Sequence, residues 1–140
     1  MKEKIETLVR DFLQKEAYNL YHLAFTKELG MAMLRIEIEE SLSLDKLSEL
    51  TNELDKLLEP SGILNDNVLE VSSAGIERIL YHEKHYDKAL GEKVFIKTKK
   101  ATYQGIFDHY DEDHIFIKNK EDLLMIKRKE IKLIRLTIEF

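Results

Sequence analysis

Val68-Leu69-Glu70-Val71-Ser72-Ser73-Ala74-Gly75-Ile76-Glu77-Arg78 is the stretch on which the fold turns. Its first four residues alternate as a half-buried strand does. A small-residue turn follows, then an arginine. Glycine is the residue that accepts positive φ at no steric cost, so Gly75 is expected to have φ > 0. A proline at position 74 is expected to be tolerated, which requires φ near −65° there and an N–H that bonds nothing.

Upstream, Ile5, Leu8, Val9, Phe12 and Leu13 mark one face of a helix. Tyr18 to Phe25 is apolar on both parities and reads as a central strand buried on both faces. Leu34, Ile36 and Ile38 alternate with Arg35, Glu37 and Glu39, as in a strand with one wet face. Ser43 is an N-cap candidate, with Asp45 in the first turn. Leu47, Leu50, Leu54, Leu57 and Leu58 continue one stripe until Pro60-Ser61-Gly62 stops it. The order is α-β-β-α-β, and a right-handed β-α-β crossover puts both helices on one face of a three-stranded sheet.

Beyond Arg78 the pattern changes. His82 to Leu90 reads as a short helical connector ended by Gly91. Short strands follow at Val94–Thr98, Tyr103–His109, Ile115–Lys118, Leu123–Lys127 and Ile134–Phe140, separated by polar turns. Five short strands at this spacing predict a small SH3- or Sm-like barrel. Phe140 at the end of the last strand implies a tied-down carboxyl terminus. The expected fold class is α+β: residues 1–78 form an α/β domain, 79–91 a linker with a short helix, and 92–140 the barrel.

Strand, Ser72-Ser73, Gly75 and Arg78 in that order resemble the segment that marks the bacterial ribosome maturation factor RimP family. Members usually read Leu-Glu-Val-Ser-Ser-Pro-Gly-Leu/Ile-Asp-Arg-Pro-Leu there. This chain has Ala74 for the first Pro, Glu77 for the Asp and Ile79 for the second Pro, which predicts a looser turn. Leu34–Ile38, the Leu47–Leu58 helix, Leu90–Val94 and the two-part order are consistent with the same family. The hairpin at Lys99-Lys100 is shorter than in many members. The resemblance implies an assembly factor that binds the free small (30S) ribosomal subunit in the cytoplasm and assists its late maturation. It also implies contact with a small-subunit protein near the decoding region and with neighbouring rRNA.

The chain has 140 residues, 44% hydrophobic and 35% charged, with no cysteine. This is a globular composition without a disulfide framework or a Cys-ligated zinc site. Neither a signal peptide nor an apolar run of membrane-spanning length is evident, so a soluble cytoplasmic protein is expected. The net charge of −5 is uneven: residues 1–82 carry 9 Lys+Arg against 16 Asp+Glu, and residues 83–140 carry 13 against 11. Acidity disfavours strong nonspecific nucleic-acid binding, whereas an acidic module beside a mildly basic one suits contact with both basic protein and RNA.

Candidate sites follow. Ser72, Ser73, Gly75 and Arg78 read either as a backbone nest with an arginine fork, or as a domain hinge. In the hinge, serines cap backbone groups and Arg78 pairs with Glu70 or Glu77. Position at the domain junction favours the hinge. Lys97, Lys99, Lys100, Lys118, Lys127, Arg128 and Lys129, with Lys132 and Arg135, are candidates for rRNA contact. Tyr103, Phe107 and Phe116 are interleaved with them, the two phenylalanines expected in the core. Glu37, Glu39 and Glu40, at the end of an exposed strand face, are the candidate contact for a basic ribosomal protein. His82 and His85 lack the helical spacing of a zinc pair, and no Walker loop, dinucleotide fingerprint or nucleophile elbow occurs. The reading is a monomer that is not an enzyme and carries no cofactor or metal. The alternative is an Sm-like RNA-binding module acting through its barrel.

Overall fold

The computed structural model describes residues 2–75 and 77–137. Its contacts divide the chain into two units, Met1–Gly75 and Ile76–Phe140. In the first unit, helix α1 (Lys2–Lys15) buries Ile5, Val9 and Leu13 along one stripe. It ends in a Schellman-type cap, in which Tyr18 N–H donates to Leu13 O and Ala17 N–H to Gln14 O. Ala17 sits there at φ +66°, a position that glycine usually fills.

Strands β1 (Leu20–Glu28) and β2 (Met31–Ile38) are antiparallel, and β3 (Val68–Ser73) lies parallel to β2. Helix α2 (Leu44–Leu58) makes the crossover, and its N-cap is Ser43, whose Oγ accepts from Lys46 N–H. Gly62 at φ +75° ends the turn that follows α2. The sheet order is β1-β2-β3, so β1 is an edge strand and not the central one. A register shift between Leu20 and His22 explains the misleading pattern. The extra residue, Tyr21, moves the core-facing parity, so Leu20 and Leu23 both meet the core although they lie three apart. Leu34, Ile36 and Ile38 of β2 pack there against Ile5, Val9 and Leu13 of α1 and Leu50, Leu54 and Leu58 of α2. Both helices therefore share one face of the sheet.

The second unit holds α3 (Glu83–Ala89), β4 (Lys93–Thr98), β5 (Thr102–Tyr110), β6 (His114–Asn119), β7 (Asp122–Lys127) and β8 (Ile131–Leu136). These five strands form one antiparallel sheet in the order β7-β6-β5-β4-β8. It is a meander whose last strand returns beside its first. Among the described residues no pairing joins β7 to β8, so the sheet is not closed by hydrogen bonds. The last strand starts earlier than Ile134, and residues 138–140, including Phe140, lie outside the described residues.

Val94, Ile96, Phe107, Ile115, Ile117, Ile126 and Ile134 make the second core, which Leu80, Tyr86 and Ala89 complete. Residues 79–91 thus pack as part of this unit rather than serving as a linker. Leu80 N–H donates to Ile134 O and Leu136 N–H to Arg78 O, which pins the segment along β8. Gly105 of β5 is required by close approach: a Cβ there would stand 2.7 Å from Lys118 O on β6.

Candidate nucleic-acid interface

On β4, Val94, Ile96 and Thr98 point into the core, which leaves Lys97 outward by strand alternation. Thr98 is buried and its hydroxyl shapes the β4–β5 turn. Oγ1 donates to Ala101 O and accepts from the N–H groups of Lys100 and Ala101. With its polar groups satisfied inside, this turn displays Lys99 and Lys100 to solvent. β8 skips one residue against the Lys97/Thr98 step, and that bulged residue is Lys132. Register therefore gathers Lys97, Lys99, Lys100 and Lys132 at one corner, with Lys129 in the short 3-10 turn just before β8. All five are exposed, and none forms an ion pair among the described residues.

The other cations behave differently. Lys118 and Lys127 are exposed, but they lie on β6 and β7, opposite Leu123 and His114 respectively. Arg128 is not a free cation. Its Nη1 donates to Glu83 Oε1 (3.0 Å) and to Asp111 O (2.8 Å), and the guanidinium lies over the rings of Tyr86 and Tyr110. Burial raises the pKa of Tyr86. The hydroxyl of Tyr110 donates to Asp87, and that bond is the first cause pushing its pKa up to about 12. Arg135 pairs with Glu77 at 2.8 Å and covers Phe95.

Of the aromatics, Phe107 is fully buried and Tyr103 packs partly against the same core. Phe116 corrects the core expectation: Ile115 and Ile117 on either side face inward, and its ring stacks on His109.

The acidic candidates also differ from expectation. Glu37, Glu39 and Glu40 are half-buried rather than exposed. Glu40 accepts from both the backbone N–H and the side-chain amide of Asn19, each at 2.8 Å, and so closes the entry to β1. Glu37 Oε2 is buried with no hydrogen-bond partner among the described residues. Exposed acids of this unit are most numerous on α2, which carries Asp45, Glu49, Glu53 and Asp55, while α1 carries Glu3 and Asp11.

His82 and His85 stack at 3.8 Å, and His85 Nδ1 accepts from Tyr81 N–H, which commits that nitrogen. Among the described residues no group of three or more metal-ligating side chains occurs. Nor is any described helix long and apolar enough to cross a membrane.

Gly75 has φ +81°, as expected. Ser73 Oγ accepts from Leu42 N–H at 3.1 Å, so the second serine of the motif ties the approach to α2 to the end of β3. The acids considered for Arg78 are held by other arginines, Glu70 by Arg35 and Glu77 by Arg135. Ala74 departs from expectation. Its N–H donates to Ile38 O at 2.9 Å, extending the β2–β3 ladder one step, so a proline there would delete a bond. The stretch from α1 through this turn, residues 8–77, matches the family model for the RimP N-terminal domain. The chain belongs to the RimP family. RimP proteins are ribosome maturation factors, so a RimP-like role in ribosome biogenesis is the setting in which both units are to be understood. The lysine corner lies in the second unit, downstream of the matched RimP segment.

Proposed function

We propose that this RimP-family protein binds the free small ribosomal subunit in the cytoplasm and assists its late maturation, without catalysing a reaction or using a cofactor. Family membership carries the reading. Charge supports it: the unit to Gly75 has 8 Lys+Arg against 15 Asp+Glu, while the rest has 14 against 12. Phosphate is repelled by the first unit and accepted at the corner of Lys97, Lys99, Lys100, Lys129 and Lys132. The acids of α2, with Glu37, Glu39 and Glu40 as half-buried contributors, would steer a basic ribosomal protein near the decoding region. Binding energy then holds a folding intermediate in its productive arrangement, and release follows when the mature surface no longer fits. The second unit is taken as an SH3/Sm-like barrel on its strand order, and the protein as a monomer. Loss of the protein should raise the share of free small subunits carrying unprocessed rRNA, and a restored copy should reverse it. An unchanged subunit profile would overturn the proposal.

The edge of β7, which pairs with β6 alone among the described residues, favours one second reading, an Sm-like ring, in which residues 78–80 would have to yield the edge of β8 that they now line. A monomeric mass in size-exclusion chromatography would remove it.

A further inference from the structure

The outer face of β5, β6 and β7 is built unlike an ordinary solvated sheet. In β5 the register slips between Phe107, opposite Ile117, and His109, opposite Phe116, so Asp108 is an extra residue. A bulge re-aims side chains. Here it sends Phe107 and Tyr110 inward together and turns His109 outward onto Phe116. The two rings stack with centroids 4.1 Å apart and planes 11° from parallel. Met125 lies opposite Phe116, and the next row carries Ile106, Lys118 and Leu123. Ile106, Leu123 and Met125 are 42%, 55% and 62% exposed, so an apolar surface stands in solvent on one side of the stacked rings. Lys118 is in that row, and Lys127 closes the far side opposite His114. Neither lysine forms an ion pair among the described residues.

We propose that this face is a stacking platform for the bases of a single-stranded RNA segment, with His109 as the ring on which a base lies. This rests on the functional reading above and adds to it a second, base-reading contact distinct from the lysine corner. Every base offers a π-face to an aromatic ring, and lysines beside such rings take the backbone. The acids argue for the same orientation. Asp108 Oδ2 lies 2.6 Å from His109 Nδ1 and Asp111 Oδ1 lies 3.4 Å from His114 Nδ1. Carboxylates at the ring edges repel phosphate, so the strand's charge belongs over Lys118 and Lys127 and its bases over the rings and the apolar row. A protein partner would gain from the apolar residues, whereas a parallel ring pair beside two lysines outside any described ion pair matches a base together with its phosphate.

The chain contains no tryptophan, so His109→Trp places one reporter on the platform. The probe is an oligoadenylate of about twelve nucleotides, within the usual site size for such surfaces. The full-length variant should bind it, with tryptophan fluorescence quenched, while an abasic oligomer of equal length should leave the signal unchanged. In the otherwise native chain, His109→Ala should weaken oligoadenylate binding about tenfold. The double variant Lys118→Ala/Lys127→Ala should lower its salt dependence. Absent quenching, quenching by the abasic strand, or unchanged binding by His109→Ala would each overturn the platform. Quenching by a basic ribosomal protein but not by RNA would overturn it too, in favour of a protein-docking face. If RNA quenches yet the protein fails to associate with small subunits, the platform stands and the functional reading falls. Association without quenching gives the reverse.

Discussion

Replacing Lys97, Lys99 and Lys100 together with alanine removes the outward strand lysine and both residues displayed by the Thr98 turn, and leaves Thr98 in place. All three are exposed and outside any ion pair among the described residues, so the variant loses charge without losing a structural partner. Fold stability should change by less than about 0.5 kcal/mol per site. Each phosphate deprived of its lysine takes about 0.7–0.9 off the slope of log K against log salt, so three of them take off about 2–2.7. If the salt-independent part of binding is untouched, a slope decrease of about 2.4 weakens binding about a hundredfold at about 0.15 M salt. The assay is the affinity of purified protein for free small subunits across a salt series, with Lys56→Ala on α2 as the control. An unchanged slope and affinity for the triple variant would refute the corner as an rRNA-binding surface. An equal weakening by Lys56→Ala would show that only net charge was being read.

Three further outcomes concern the scaffold. Gly105→Ala forces a Cβ to 2.7 Å from Lys118 O, a backbone atom that cannot swing aside, so the variant should be destabilised by about 1–3 kcal/mol in thermal melts; a wild-type Tm would contradict the β5–β6 packing. Gly75→Ala meets no atom within 4 Å but must hold φ +81°, so it should cost only about 1–2 kcal/mol, and Ala74→Pro should destabilise because it removes the bond to Ile38 O; stabilisation by Ala74→Pro would refute that account. Because the folded Tyr110 pKa is raised to about 12 from 10.0, its contribution is complete below pH 10 and disappears as pH rises through about 12. Tyrosinate absorbance should accordingly show late titration near pH 12 that Tyr110→Phe removes, leaving the raised titration of Tyr86 in place.

Much of this architecture is legible in the sequence because the signals are local. Ser43 caps α2, Leu50, Leu54 and Leu58 form its stripe, and Gly62 ends the turn beyond it, all from residues close in the chain. The bulges are not legible in this way. A period-two reading has no means of locating one extra residue, so Tyr21 made an edge strand look central and Asp108 concealed which way His109 and Phe116 face. The lysine corner was half visible. Lys97, Lys99 and Lys100 are neighbours in sequence, but Lys132 joins them only through the slipped register of β8 on β4. Arg128 and Glu40 misled for one common reason. Residue type marks them as surface charges, while partners 45 and 21 residues away make them structural clamps.

The central claim is that this RimP-family protein engages the small subunit only before assembly is complete. Cell extract resolved on a density gradient at low salt, probed for the protein in every fraction, tests it directly. The account predicts the protein with free small subunits and its absence from joined ribosomes. Equal association with joined ribosomes, or presence only at the top of the gradient, would contradict it.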